Sequence, residues 1–195
     1  MFQPEVKFEF VQRYCPPAAG WQVFVDIDAS EEGRTGGART SDAARQQQAA
    51  MQRDAQRVRA ALTTLGVVVG GERRAWFQKH GLPEVNGDRD VVAMHPLERR
   101  LVIAEVEGAS TGQPEQKLYK AIGQLVMAAG DVPPEQWQRS LVLVVHGAAI
   151  ATHLDRAAAP AKLGVAGLAL ATEPAQDCWC FGCALRLTER EEPAP

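Results

Sequence analysis

Asp88, Asp90, Glu105 and Glu107 are the residues of this chain whose types and spacing could do chemistry. They flank a pair of apolar runs, Gly87 to Met94 and Leu101 to Gly108, joined by a polar connection from His95 to Arg100. Runs rich in Val and Ile and bounded by Gly or Pro read as buried strands. A turn symmetric about Leu97 and Glu98 sets Asp90 across from Glu105 and Asp88 across from Glu107. Side chains two apart on a strand share a face, so the four carboxylates gather on one side at one end of the hairpin. Directly opposed pairs bring their Cβ atoms to roughly 4.5–5.5 Å. Like charges so close repel, and a hard divalent cation, raised pKa values or exposure to water at the sheet end must offset that. If a metal does so, an all-oxygen donor set suits Mg2+, or Mn2+, rather than zinc, which prefers thiolate and imidazole.

The elements that must position these acids are legible from periodicity. On the N-terminal side, 6–11 and 21–27 both alternate like strands, with Cys15-Pro16-Pro17 and Gly20 between them, so a β-hairpin is expected there. The Gly-rich, charged stretch 29–40 reads as a loop. Met51, Ala55, Val58, Leu62 and Leu65 recur at helical spacing, predicting a helix over 41–65 that Ser41 or Thr40 caps and Gly66 ends. Its Arg45, Arg53 and Arg57 fall away from the apolar stripe, on a solvated face or a phosphate-contacting ridge. Val67 to Val69 is a strand candidate, Gly70-Gly71 a turn, and 72–77 either strand or helical turn. Beyond the central hairpin, 108–114 reads as a polar loop. A helix over 115–129 buries Leu118, Ile122, Leu125, Val126 and Ala129 and carries Lys117, Lys120 and Gln124 on another stripe. A short helix is expected from Pro133 to Trp137. Leu141 to Val145 is continuously apolar, as in a strand buried on both faces. Helix over 149–158, strands over 165–171 and 179–187, and a disordered tail over 189–195 complete the reading.

Helix, strand, strand, strand, helix, strand, with acids on the second and third strands, resembles the PD-(D/E)XK nuclease superfamily, the restriction-endonuclease-like fold. The likeness covers roughly Ser41 to Val145. Asp90 in Gly87-Asp88-Arg89-Asp90-Val91-Val92 matches the Asp that begins that family's second core strand. Ile103-Ala104-Glu105-Val106-Glu107 matches the Glu-x-Lys motif that ends the third, and Gln124 matches a frequent Gln on the next helix. The resemblance implies an α/β fold with a mixed central sheet flanked by helices. It also implies phosphodiester hydrolysis assisted by Mg2+ or Mn2+, with Asp90 and Glu105 as metal ligands joined by Asp88 and Glu107. Nucleic acid, DNA in the first place, is the implied partner. Where the family has lysine, this chain has Glu107. Either the lysine's role has moved to Lys117 or Lys120, or the fold has kept its shape and lost its chemistry, leaving a module that binds DNA or protein. The domain organisation expected is a single unit: hairpin and loop (1–40), nuclease-like core (41–145), an extension of the sheet (146–188) and the tail.

Composition narrows the class without choosing the function. With 195 residues, 46% hydrophobic and 23% charged, the chain can bury a sizeable core as a globular protein. A net charge of −3 excludes a generally basic nucleic-acid coat, although Arg39, Arg45, Arg53, Arg57, Arg59, Arg73, Arg74 and Lys79 leave room for a local patch. No apolar run reaches a membrane span and the first residues lack the pattern of a signal peptide, so the cytoplasm is the expected compartment. His80, His146 and His153 share no ligand spacing, and His95 is expected exposed in the turn. Cys178, Cys180 and Cys183 lack a second pair for a structural zinc site, so small thiols in a buried strand are expected. Exposed strand edges near both ends of the chain could support a homodimer.

Overall fold

A computed structural model describes residues 1–27, 31, 41–71, 73–82, 89–108, 114–131, 136–146, 154 and 163–181. The chain opens not with a strand but with helix α1 (Gln3–Tyr14), which leads into strand β1 (Gln22–Val25). The run 6–11 fits both periods, and the wider window decides between them. Pro4 stands at the first turn, where its missing N–H costs nothing, and Pro4, Val6, Lys7, Phe10 and Val11 are buried at helical spacing. Arg13 pairs with Glu9 one turn back at 2.7 Å and with Asp177 at 2.8 Å, while the Tyr14 hydroxyl donates to Asp177 at 3.0 Å. The C-terminal end of α1 is thereby fastened to the last segment of the sheet.

Helix α2 (Asp42–Thr64) follows, then β2 (Val68–Val69) and α3 (Arg73–Lys79). Ala55, Val58 and Leu62 face the core as the stripe requires, whereas Leu65, one residue past the helix, is exposed, and Gly66, at φ 84°, closes the helix in a left-handed cap. The segment 73–79 resolves as helix because Trp76 and Phe77 adjoin on one buried face, with left-handed Gly70 and Gly71 before it and Gly81 after it. Strands β3 (Val91–His95) and β4 (Arg100–Glu107) form the central hairpin. They pair from Val91 with Ala104 to His95 with Arg100, the register expected of a turn centred between Leu97 and Glu98. Helix α4 (Pro114–Asp131) then crosses to β5 (Gln138–His146), followed by β6 (Val165–Leu170) and β7 (Cys178–Phe181).

All seven strands belong to one mixed sheet in the order β2-β1-β3-β4-β5-β6-β7. β1, β3 and β4 are antiparallel neighbours, β4, β5 and β6 parallel ones. The α/β architecture with helices on a mixed sheet is as expected, and its layers are clear from burial. Val102, Ala104, Val106, Val142 and Val144 pack under α1 and α2. Leu101, Ile103, Leu141, Leu143 and Val145 pack under α3 and α4. A strand buried on both faces reads as a continuous apolar run, which is why β5 was legible.

Trp137 precedes β5 without being helical. The expected helix 149–158 and tail 189–195 lie outside the described residues, apart from buried Leu154, as do most of the expected loops 29–40 and 108–114 and of the expected strand 179–187. At the edges of the sheet stand the two-residue β2 and the four-residue β7, not an N-terminal hairpin. Among the described residues no helix is long and apolar enough to cross a membrane.

Candidate acidic centre

Asp90 stands at the start of β3, where its carbonyl accepts the Asp26 N–H at 2.9 Å and continues the pairing with β1. Its Oδ2 accepts the Val106 N–H of β4 at 2.7 Å and a longer 3.4 Å hydrogen bond from the Gln3 side chain of α1. Its Oδ1 lies 2.7 Å from the Lys7 ammonium. Lys7 is wholly buried, and Nζ also donates to Glu31 Oε2 at 2.8 Å and to the Asp26 carbonyl at 2.6 Å. Burial pulls a lysine towards neutrality, but the charges of Asp90 and Glu31 outweigh it and hold the pKa above its ordinary value. Lys7 is therefore a cation inside the protein. The approach of α1 depends on Gly108, directly after β4, where an added Cβ would stand 2.4 Å from the Gln3 backbone nitrogen.

Glu105 is 3% exposed and faces Arg89, whose Nη1 is 3.6 Å from Oε1, an ion pair too long for a hydrogen bond. Burial first, and then the Asp90 charge, push the Glu105 carboxyl up to about 9 against the opposing pull of Arg89 and Lys7. Glu107 is pushed up by burial too, with Lys117 opposing. Lys117, in the first turn of α4, reaches Glu107 at 3.5 Å. Among the described residues, Glu105 Oε1 and Glu107 Oε2 are buried without a hydrogen-bond donor.

The hairpin thus brings Asp90, Glu105 and Glu107 to one end of the sheet, with Lys117 among them as the sequence anticipated. Lys120 influences Glu107 only through its charge. Gln124, half-buried, lies about 10 Å further along the helix than Lys117. Asp88 falls outside the described residues, as do His153 and Cys183. The sequence reading missed Lys7, Gln3, Glu31 and Arg89. The sign of Lys7 was its place between Pro4 and Val11 on the buried side of a helix, hidden once 6–11 was read as a strand.

A magnesium ion needs carboxylate oxygens that converge and are not already neutralised. Among the described residues no group of three or more His, Cys, Asp or Glu side chains is arranged to hold a metal ion. Asp90 has given its oxygens to Lys7 and the Val106 N–H, and Glu105 faces Arg89. The described donor set does not fit the expected metal.

Other candidates resolve into structure. His95 is buried rather than exposed: one ring nitrogen meets the Ala19 carbonyl at 2.9 Å, the other accepts the Glu98 N–H at 3.3 Å, and the ring sits edge-on to Trp21. His146 meets the Leu170 carbonyl at 2.9 Å. Cys15 is buried, but Cys178 is exposed, so the thiols do not line a buried strand as expected. Arg45 is paired with Asp42, and Arg57 with Glu5 and Asp54, so two of the three ridge arginines already hold acids.

These features define a mixed α/β protein with a buried, internally neutralised charge network at one end of its central hairpin. No protein-family model matches this chain, nor does any curated protein or any solved structure.

Proposed function

We propose that the chain carries the restriction-endonuclease-like fold with its acidic centre closed to metal-dependent hydrolysis, and that it binds nucleic acid without cutting it. The likeness drawn over Ser41 to Val145 took α2 and β2 as its first helix and strand, but β1 and not β2 lies beside β3; the fold half of this reading is supported instead by the order α1, β1, β3, β4, α4, β5, which is helix, strand, strand, strand, helix, strand with α2, β2 and α3 inserted. Asp90 then begins the second strand of that series, and Glu105 and Glu107 end the third. One observation carries the functional half. The cation at Asp90 is Lys7, buried and saturated by three oxygens at 2.6–2.8 Å, so neither a metal nor a scissile phosphate has access to it. DNA is the partner that the resemblance implies.

A second reading, metal-dependent phosphodiester hydrolysis, is favoured by the oxygens of Glu105 and Glu107 that find no donor among the described residues. Calorimetry with Mg2+ and Mn2+, run beside a plasmid-nicking assay, separates the two. The expected result is no binding heat and no nicked product at millimolar metal. Nicking by the parent protein that disappears in Asp90→Ala overturns the closed-centre reading and establishes the hydrolase.

A further inference from the structure

The opposite end of the sheet holds a groove of about 420 Å³, lined by His80, Gly81, Pro96, Arg99, Gln136 and Trp137. Topology places it there: Pro96 and Arg99 belong to the β3–β4 turn, and Trp137 immediately precedes β5, which runs parallel to β4. Its volume lies in the range of small-molecule sites, roughly 300–1,000 Å³. The groove does not depend on how the acidic centre is read.

The groove's chemistry is that of an anion joined to a flat ring. Arg99 is the one described non-glycine residue with a left-handed backbone, at φ 51°. It is held there because its N–H donates to the Pro96 carbonyl at 3.3 Å and its own carbonyl accepts the Gln138 N–H at 2.8 Å. Short hairpin turns commonly place a left-handed residue just before the second strand, so the turn itself accounts for this backbone, and it fixes where the Arg99 side chain leaves the turn. The neighbouring acid, Glu98, is bonded to Arg100 at 3.0 Å, and among the described residues no acid pairs with the Arg99 guanidinium. Trp137 packs against the core under α3 and α4 while remaining partly exposed, so one side of the indole is anchored and another lines the groove. Gln136 adds an amide that can read a ring edge. The His80 ring lies tilted against Trp76, with centroids 4.6 Å apart, and the His80 backbone N–H donates to the Trp76 and Phe77 carbonyls at 3.2 Å, closing the end of α3. Burial, then the charge of Lys79, lower its pKa, so at neutral pH it offers one donor and one acceptor rather than a charge.

We propose that this groove binds a nucleotide, with the phosphate on Arg99 and the base against Trp137. An anchored indole suits any base, since every base has a π-face, and a guanidinium suits phosphate bidentately. The same chemistry is offered by a free mononucleotide and by the phosphorylated end of a single strand.

The test is calorimetry with the four 5′-mononucleotides, a 5′-phosphorylated pentathymidylate, the matching nucleosides and inorganic phosphate. Parent, Arg99→Gly and Trp137→Leu proteins are compared. Glycine accepts the left-handed backbone, so Arg99→Gly keeps the turn while removing the cation. Mononucleotide binding in the parent, weakened at least about tenfold in Arg99→Gly and in Trp137→Leu, is expected. Equal affinity for mononucleotide and pentamer identifies a free nucleotide. Binding of the pentamer at least about tenfold tighter identifies a strand end. Absence of binding to both at millimolar concentration overturns the proposal. So does affinity unchanged in Arg99→Gly, or inorganic phosphate or nucleoside binding as tightly as the nucleotide.

Discussion

Lys7 has three protons to give, and Asp90, Glu31 and the Asp26 carbonyl receive them. Removing that ammonium leaves two carboxylates facing a space with no cation, and breaking a buried pair by deleting one partner costs about 3–5 kcal/mol. Lys7→Met should therefore destabilise the protein by that amount in urea unfolding, and adding Asp90→Asn should restore part of the loss. A single-variant cost below about 1 kcal/mol, the range of a surface pair, would show that Lys7 is not the internal cation. Glu105 makes its contribution through pH. Its folded pKa, about 9, stands above the ordinary 4.5, so between those values the native state holds a proton that the unfolded state has released. Stability is thus greatest below about pH 4.5 as far as this group is concerned, and it declines as pH rises towards 9, by at most about 1.4 kcal/mol per unit. Glu107, also raised, adds to the decline with the same sign. Glu105→Gln should flatten the stability profile between pH 5 and 9, and an unchanged slope would rule out Glu105 as its source.

At the scale of elements, the acidic centre exists because α1 and the end of β4 touch. Gly108 permits that contact: a Cβ there meets the Gln3 nitrogen at 2.4 Å and two further backbone atoms at 2.8 Å. Backbone cannot give way as a side chain can. Gly108→Ala should cost about 1–3 kcal/mol, as overpacking does, and should speed hydrogen exchange in the first turns of α1 more than in α2. Uniform exchange across both helices would mean that the contact is not local to α1. The same contact explains what the sequence disclosed and what it withheld. The hairpin register was legible because the patterned strands flank a short polar turn whose centre fixes every pair. Helix α2 was legible from its apolar stripe and Gly66, and Lys117 because the first turn of α4 must start near the end of β4. Helix α1 was not, since six residues cannot separate a period of 2 from one of 3.6. Once α1 was lost, so was Lys7, whose partner Glu31 lies 24 residues away across β1. The Arg89–Glu105 pair was hidden for another reason: an arginine between two aspartates reads as solvent-facing, and only the burial of the strand ends turns it inward.

For the whole molecule, the sheet buries its strands on both faces and draws its two helical layers together at the acidic end: Lys7 comes from α1 above the sheet, Lys117 from α4 below it. Cations thus enter the carboxylate cluster from both layers, and the folded state supplies its own counter-charge. A ligand that binds only the folded state raises stability by RT ln(1 + [L]/Kd), about 2.7 kcal/mol when present at a hundredfold excess over Kd. In a chain of this length each kcal/mol moves Tm by roughly 2–4 °C, so an occupied magnesium site should raise Tm by about 5–10 °C and chelation should reverse it. With the carboxylates neutralised from within, the expected shift with millimolar Mg2+, Mn2+ or EDTA is under about 1 °C by the same linkage. Lys7→Met turns that expectation around, because it restores two uncompensated carboxylates to one place. If the variant folds, its Tm should now respond to divalent cation where the parent's does not. A parent that is stabilised by Mg2+, together with a Lys7→Met protein that is indifferent to it, would mean that the metal binds elsewhere and that Lys7 is not the substitute cation.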